Sequence, residues 1–243
     1  AADHASSAIT IGKRDLHSLA EAYYWRGEAN YRLGNYRGAF NDMSTYANTT
    51  AGRSTNYRYS FYCMGYAQFK QKQYQKAAPH FKRYTELAAK NSNIAVLSDT
   101  YNRLGDCLFD ARKDSEAYEA YQKAYDTDRS QGDYSLLQLA MIAGLQGKSS
   151  EKIDLLAKMQ SEYSNSQYGA DALYEQGRTY IQSGDKIKSI ETFSKIVQSY
   201  PNSIIAAKSA NELGLLYTET GNTQKAIDSY KNVVNNYPNS VEA

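Results

Sequence analysis

Proline is nearly missing from this chain: three residues in 243, at positions 79, 201 and 238. With so few helix breakers, and no stretch alternating apolar and polar residues over strand length, the sequence is suited to helix throughout. Cysteine is as scarce, and two thiols, Cys63 and Cys107, do not make a disulfide scaffold. Three histidines, His4, His17 and His80, stand isolated, none at zinc-ligand spacing from Cys, Asp or Glu. No apolar run approaches the roughly 18 residues of a membrane span. The longest, Leu136 to Leu145, is broken by Gln138 and Gly144. Charge of one sign is lacking as well: 28 basic residues face 26 acidic ones, a net +2, which argues against a nucleic-acid surface. Phosphate loops, nucleophile elbows and dinucleotide fingerprints do not occur. Paired carboxylates such as Asp126 and Asp128 fall at turns, where solvated caps explain them. The chain therefore reads as non-catalytic, with no metal and no cofactor.

What the sequence does have is a register. Taking Gly214 as a marker, a small residue recurs upstream at Gly177, Ala140, Gly105, Gly65 and Gly27, with steps of 37, 37, 35, 40 and 38 residues. Four residues before each marker sit Tyr23, Phe61, Tyr101, Leu136, Leu173 and Ala210. Twelve after it sit Ala39, Ala77, Ala117, Lys152, Ser189 and Ala226. Sixteen after it come Met43, Phe81, Tyr121, Leu156, Phe193 and Tyr230, bulky plugs worth roughly 1.5 to 3 kcal/mol each when fully buried. Each unit reads as two short amphipathic helices joined by a tight turn. A lone pair buries too little apolar surface to stand by itself, so the six units are expected to stack. The small marker is expected where two helix backbones approach.

This pattern resembles the tetratricopeptide repeat, with its mid-helix Gly, early second-helix Ala, following aromatic and terminal Pro. The resemblance is strongest at Leu213-Gly214 with Ala226, Tyr230 and Pro238, and good at Leu104-Gly105 with Ala117 and Tyr121. It is weakest in the fourth unit, where Ala140, Lys152 and Ser164 replace Gly, Ala and Pro, and where looser helix pairing is expected. The fold class it implies is all-α, a right-handed α-α superhelix of about six helix-turn-helix repeats. These fall near 20–56, 58–92, 98–131, 133–166, 170–203 and 207–240, one continuous array after an N-terminal tail or preceding helix end at 1–19. Both ends read as cut from a longer array, and uncapped ends would permit self-association.

Local features add detail. The polar segment Ala47 to Asn56 is expected to be the longest loop, and Asn48-Thr49-Thr50 within it matches a glycosylation tripeptide that chance also produces. Pro79 should fall inside a second helix and remove one backbone hydrogen bond. The third unit turns at Arg112-Lys113-Asp114 without glycine. Three units end alike, at Tyr163-Ser164-Asn165-Ser166, Tyr200-Pro201-Asn202-Ser203 and Tyr237-Pro238-Asn239-Ser240, each breaking a helix and offering Asn or Ser as the next cap. Cys63 and Cys107 sit on first-helix sides facing the preceding repeat, as core thiols.

In the tetratricopeptide family the first helices line a concave face. By resemblance that face collects Glu21, Tyr24, Glu28, Tyr31 and Arg32, then Tyr59, Tyr62, Tyr66, Phe69 and Lys70, then Asp99, Asn102, Asp106, Phe109 and Asp110, and further on Leu137, Met141, Asp171, Tyr174 and Arg178. Twenty-four tyrosines exceed what packing needs, and tyrosine is a recognition residue. The candidate partner-binding residues are Tyr24, Glu28, Tyr59, Tyr62, Tyr66, Phe69, Asn102, Asp106, Phe109 and Tyr174. Rings at Tyr31, Phe69 and Phe109 could equally plug the seams, whereas Tyr62 and Tyr66 are expected to be exposed. The Lys, Asn and Arg clamp with which some family members hold a peptide carboxylate is absent. The acidic residues imply a neutral or basic protein or peptide partner with apolar side chains, not nucleic acid. The Tyr-Pro-Asn-Ser endings resemble arrays of bacterial cell-envelope proteins such as outer-membrane-protein assembly lipoproteins and the Tol-associated periplasmic coordinator, implying a periplasmic scaffold; a cytoplasmic one is the alternative. A glycan-binding module is the alternative function.

Overall fold

The computed structural model describes residues 2–11, 16–49, 55–88 and 92–243. Every regular element among them is helical: α1 (Ala2–Ile11), α2 (Leu16–Arg32), α3 (Tyr36–Thr49), α4 (Thr55–Phe69), α5 (Tyr74–Leu87), α6 (Ile94–Asp110), α7 (Asp114–Thr127), α8 (Asp133–Leu145), α9 (Ser149–Glu162), α10 (Gly169–Gln182), α11 (Lys186–Ser199), α12 (Ile204–Glu219) and α13 (Thr223–Asn236). From α2 onward they pair as six helix-turn-helix repeats, α2 with α3 through α12 with α13. This is the all-α repeat class that the register implies. Packing divides the chain into two compact units, Ala1–Gln131 and Gly132–Ala243, a boundary the periodicity does not mark. It falls at a short 3-10 turn, Arg129–Gln131. The segment before the first repeat, which the sequence leaves open between helix end and linker, forms α1 as far as Ile11 and packs on α2.

The marker residues have a more specific task than bringing backbones together. A Cβ added to Gly65 would lie 2.7 Å from the Phe81 ring, on Gly105 2.7 Å from Tyr121, and on Gly177 2.8 Å from Phe193. Each of these glycines thus leaves room for the plug sixteen residues later in the same pair. Met43, Phe81, Tyr121, Leu156 and Phe193 are completely or almost completely buried, while Tyr230, seated against Gly214, is half-buried.

The turn inside each pair is equally regular. Seven residues after each marker the backbone enters the left-handed region: φ is 77° at Gly34, 58° at Lys72, 59° at Arg112, 73° at Gly147, 80° at Gly184 and 74° at Gly221. Four of the six positions are glycine, which adopts this conformation without a Cβ penalty; Lys72 and Arg112 adopt it against their preference.

The fourth pair is not loose. Leu136, Leu139, Ile142, Leu156 and Met159 are all at most 1% exposed. Lys152 stands where the other repeats have a small residue. Its stem crosses Gly144, whose absent side chain makes the space, and its Nζ reaches Glu175 Oε2 at 2.7 Å. A long side chain is accommodated because the charge emerges at a carboxylate of the next pair.

Three local expectations change. The supposed loop from Ala47 to Asn56 is shorter: α3 continues through Thr49, and α4 begins at Thr55. Asn48 and Thr49 of the glycosylation tripeptide are therefore helical, and Thr50 lies outside the described residues. Tyr163, Tyr200 and Tyr237 end their helices as expected, donating their N–H groups to Met159, Ile196 and Val233. Ser203 caps α12 by accepting from Ala206 N at 3.1 Å, but Ser166 donates to Asp133 Oδ2 at 2.6 Å instead, and α10 has no side-chain cap. Pro79 lies within α5, which continues to Leu87.

Candidate functional site

In the first unit the candidate face is built from α2, α4 and α6. A helix turns 3.6 residues per cycle, so Tyr59, Tyr62, Tyr66 and Phe69 lie along one stripe of α4. Their rings touch in sequence: Tyr59 stacks on Tyr62 with centroids 5.2 Å apart, Tyr62 meets Tyr66 edge-on at 4.8 Å, and Tyr66 meets Phe69 at 6.1 Å. The second helix of the pair supports them from below, Tyr84 at 5.8 Å from Tyr62 and Phe81 at 5.5 Å from Tyr66. On the α2 side Tyr31 meets Tyr66 at 6.4 Å.

Tyr62 and Tyr66 are half-buried rather than exposed, which corrects the expectation for them. The reason lies in the next repeat, where Asp99 of α6 accepts both hydroxyls, that of Tyr62 at 3.0 Å. Burial, together with the carboxylate, pushes both phenol pKa values well above the ordinary value, so both remain neutral donors. Tyr24 and Asn102 are each 6% exposed and offer almost no surface. Tyr24 packs against Tyr46 at 5.2 Å and Trp25 at 5.1 Å, inside the core shared by α2, α3 and α4. Tyr31 is half-buried and its phenol is pushed up to about 12 by burial. Glu28, Tyr59, Phe69, Asp106 and Phe109 are half-buried, each presenting part of its surface. Tyr174 belongs to the second unit, where it is also half-buried and its hydroxyl reaches Glu212 Oε1 at 3.4 Å. It is not part of the cluster in the first unit.

The residue that sequence reasoning missed is Arg103. Its guanidinium lies 3.5 Å from Asp99 and 2.5 Å from Asp106 on its own helix, and 5.5 Å from the centroid of Phe69 in the preceding repeat. Tyr121 also donates to Asp106, at 2.7 Å. The signal was present in the spacing of Asp99, Arg103 and Asp106, an i−4 and i+3 arrangement that places both carboxylates beside one cation. The acids of this face are therefore largely engaged: Glu28 also pairs with Arg32 at 2.9 Å. Asp110 stays exposed.

Both thiols are buried and free, facing the preceding repeat as expected, with Cys63 Sγ 3.9 Å from Glu28 Oε2. Burial, and for Cys63 the nearby Glu28, raises its thiol pKa far above the usual range; that of Cys107 is pushed up to about 12. Asp128, expected as a solvated cap, is buried, and it accepts from Ser130 N and Oγ at 3.1 and 2.6 Å. Among the described residues no cluster of three or more His, Cys, Asp or Glu could hold a metal, and no helix is long and apolar enough to cross a membrane.

Family models for the tetratricopeptide repeat match residues 98–131, 171–203 and 212–240. No curated protein sequence matches the chain. Several solved structures share its fold. YrrB, described as a tetratricopeptide protein with an unusual peptide-binding site, superposes with a TM-score of 0.67 at 19% identity, over 86% of this chain and 98% of that one. MamA gives 0.61 at 20% identity, over 72% and 95%. Pseudomonas aeruginosa pilF gives 0.63 at 14% identity, over 94% and 96%. The matched segments fall in the third, fifth and sixth pairs, and together with the marker-and-plug geometry these likenesses show that the chain shares the tetratricopeptide-repeat fold.

Proposed function

We propose that the α2, α4 and α6 face of the first unit is a non-catalytic docking surface for an extended peptide or partner helix that carries apolar side chains and is neutral or basic. The observation that carries this reading is the continuous row Tyr59, Tyr62, Tyr66 and Phe69, half-buried and held ring against ring, so that part of each ring faces outward on a rigid support. Rings fixed before binding lose little freedom on complex formation. Five carboxylates on this face, Glu21, Glu28, Asp99, Asp106 and Asp110, stand against three cations, Arg32, Lys70 and Arg103, which favours a basic ligand over an acidic one. The likeness to YrrB supports a peptide ligand at the level of the fold. The glycan alternative has less support, because Tyr59, Tyr62 and Tyr66 turn toward one another and two of their hydroxyls are engaged by Asp99. We assign the scaffold to the bacterial cell envelope on the Tyr-Pro-Asn-Ser endings, a placement that fractionation of the native cell tests directly.

Selection from a displayed peptide library tests the surface. Enriched peptides should combine Leu, Phe or Tyr with Lys or Arg, and their binding should be lost in Tyr62→Ala plus Tyr66→Ala. Asp110→Lys leaves the ring cluster untouched and should weaken the basic peptides alone. Peptides that bind both variants as well as the unaltered chain would remove this face from consideration.

A further inference from the structure

The near-neutral total hides a segregated charge. The first unit holds 18 basic and 14 acidic residues, the second 10 and 12. In the first unit the excess gathers at the first two of its three intra-pair turns, whereas the third, at 110–116, sets Asp110, Asp114 and Glu116 against Arg112 and Lys113. The turns at 32–38 and 70–76 contain Arg32, Arg37, Lys70, Lys72 and Lys76 and not one carboxylate. They have the same geometry: Gly34 N bonds Tyr31 O and Asn35 N bonds Asn30 O, as Lys72 N bonds Phe69 O and Gln73 N bonds Gln68 O. The α2–α3 and α4–α5 pairs are in contact, and packed helices lie about 10 Å apart, so the two turns form one ridge. All five cations are exposed, and among the described residues Arg37, Lys70, Lys72 and Lys76 form no ion pair. Leu33, at the tip of the first turn, is 75% exposed between Arg32 and Arg37. The matching turns of the second unit differ: Lys148, Lys186 and Lys188 are neutralised by Glu151, Glu219 and Asp185 at 3.6, 2.9 and 3.1 Å.

We propose that this ridge docks on an anionic lipid surface. A folded protein partner needs a shaped counterpart, and a nucleic acid read in single strands needs exposed rings for stacking. This ridge offers neither a hollow nor an exposed ring. Tyr36 and Tyr74 beside it are half-buried, and what remains is long, mobile cations and one apolar tip. A plane of phosphate headgroups asks only for charge within a Debye length and a side chain able to enter the interface. Arg32 and Lys70 border the ring-lined face, but Arg37, Lys72 and Lys76 lie outside it, so variants at those three test the ridge without altering that face.

Co-sedimentation with vesicles tests this on the whole chain. Vesicles of phosphatidylcholine with about 30% phosphatidylglycerol should bind the protein at low salt, and pure phosphatidylcholine vesicles should not. Binding should fall roughly fivefold for each cation removed, on the order of 100-fold for the triple change Arg37→Gln, Lys72→Gln and Lys76→Gln. An equal change in the second unit, Lys195→Gln, Lys225→Gln and Lys231→Gln, should leave binding unaltered. Raising the salt to about 0.5 M should release the unaltered chain, an arm that does not depend on any variant folding. Leu33→Ser should weaken what binding persists as salt rises. Failure to bind the anionic vesicles, equal loss in both triple variants, or binding to polyglutamate or RNA but not to vesicles would each overturn the proposal.

Discussion

Gly65→Ala puts one methyl where the Phe81 ring already stands. The new Cβ would lie 2.7 Å from Cδ1 and Cε1, closer than real Cβ atoms come to a neighbour. Phe81 has no room to withdraw, being fully buried with Tyr66 5.5 Å and Phe69 6.2 Å from its ring centre. Overpacking costs about 1 to 3 kcal/mol, and a contact this short against a ring that cannot yield belongs in the upper part of that range, about 2 to 3 kcal/mol. Alanine regains roughly 1 kcal/mol over glycine inside a helix, leaving a net loss of about 1 to 2 kcal/mol. At 2 to 4 °C per kcal/mol, the melting temperature should drop by roughly 2 to 8 °C. The same substitution at Gly27 is the internal control. There the nearest atoms are Met43 Cγ at 3.1 Å and Asp42 Cβ at 3.2 Å, and an unbranched thioether can shift. Strain and propensity should nearly cancel, within about 0.5 kcal/mol. Thermal melts followed by circular dichroism, with urea titration as a second probe, give both values. Phe81→Leu in the Gly65→Ala background should recover part of the loss, with a coupling of about 1 kcal/mol. If Gly65→Ala proves as mild as Gly27→Ala, the plug-in-notch account of the repeat is wrong.

Two further outcomes follow from the geometry. Lys72→Gly and Arg112→Gly should each stabilise the first unit by about 0.5 to 1 kcal/mol, since the left-handed strain of an L-residue exceeds the added entropy of glycine in the unfolded chain; chemical denaturation of the single variants reads this directly. His80 lies in a seam between rings, 5.5 Å from Phe40 and 6.5 Å from Phe61, and burial lowers its pKa below the ordinary 6.5. Below that ordinary value the unfolded chain therefore binds more protons than the folded one, so stability is intact above it and declines as pH falls through 6.5 toward the folded pKa. Melting temperature against pH should show this decline, and His80→Phe should flatten it; an unchanged profile in that variant would assign the slope elsewhere.

Much of the architecture could be read without coordinates because it repeats. A small residue and a plug recurring six times, with an alanine between them in four of the six units, specify helix pairs from side-chain volume and periodicity, both local properties. The repeat register also pointed to a ring-rich face on α4. It could not show how much of each ring is open. That depends on Asp99, which lies 37 residues beyond Tyr62, and on Arg103, which binds two acids while covering Phe69. Nor could helix-by-helix reading show that Tyr24 and Asn102 are inside, since the same stripe faces outward or inward according to its neighbours.

The amino-acid order alone determined that this chain forms paired helices, where each pair turns, and which volumes interlock, because those choices are settled within about 20 residues of one another. Only the tertiary structure decided which tyrosines keep a free surface, how the fourth pair accommodates Lys152, and that five scattered cations share one edge. Burial and charge density are sums over neighbours in space, and residues from successive turns become neighbours only when the repeats stack.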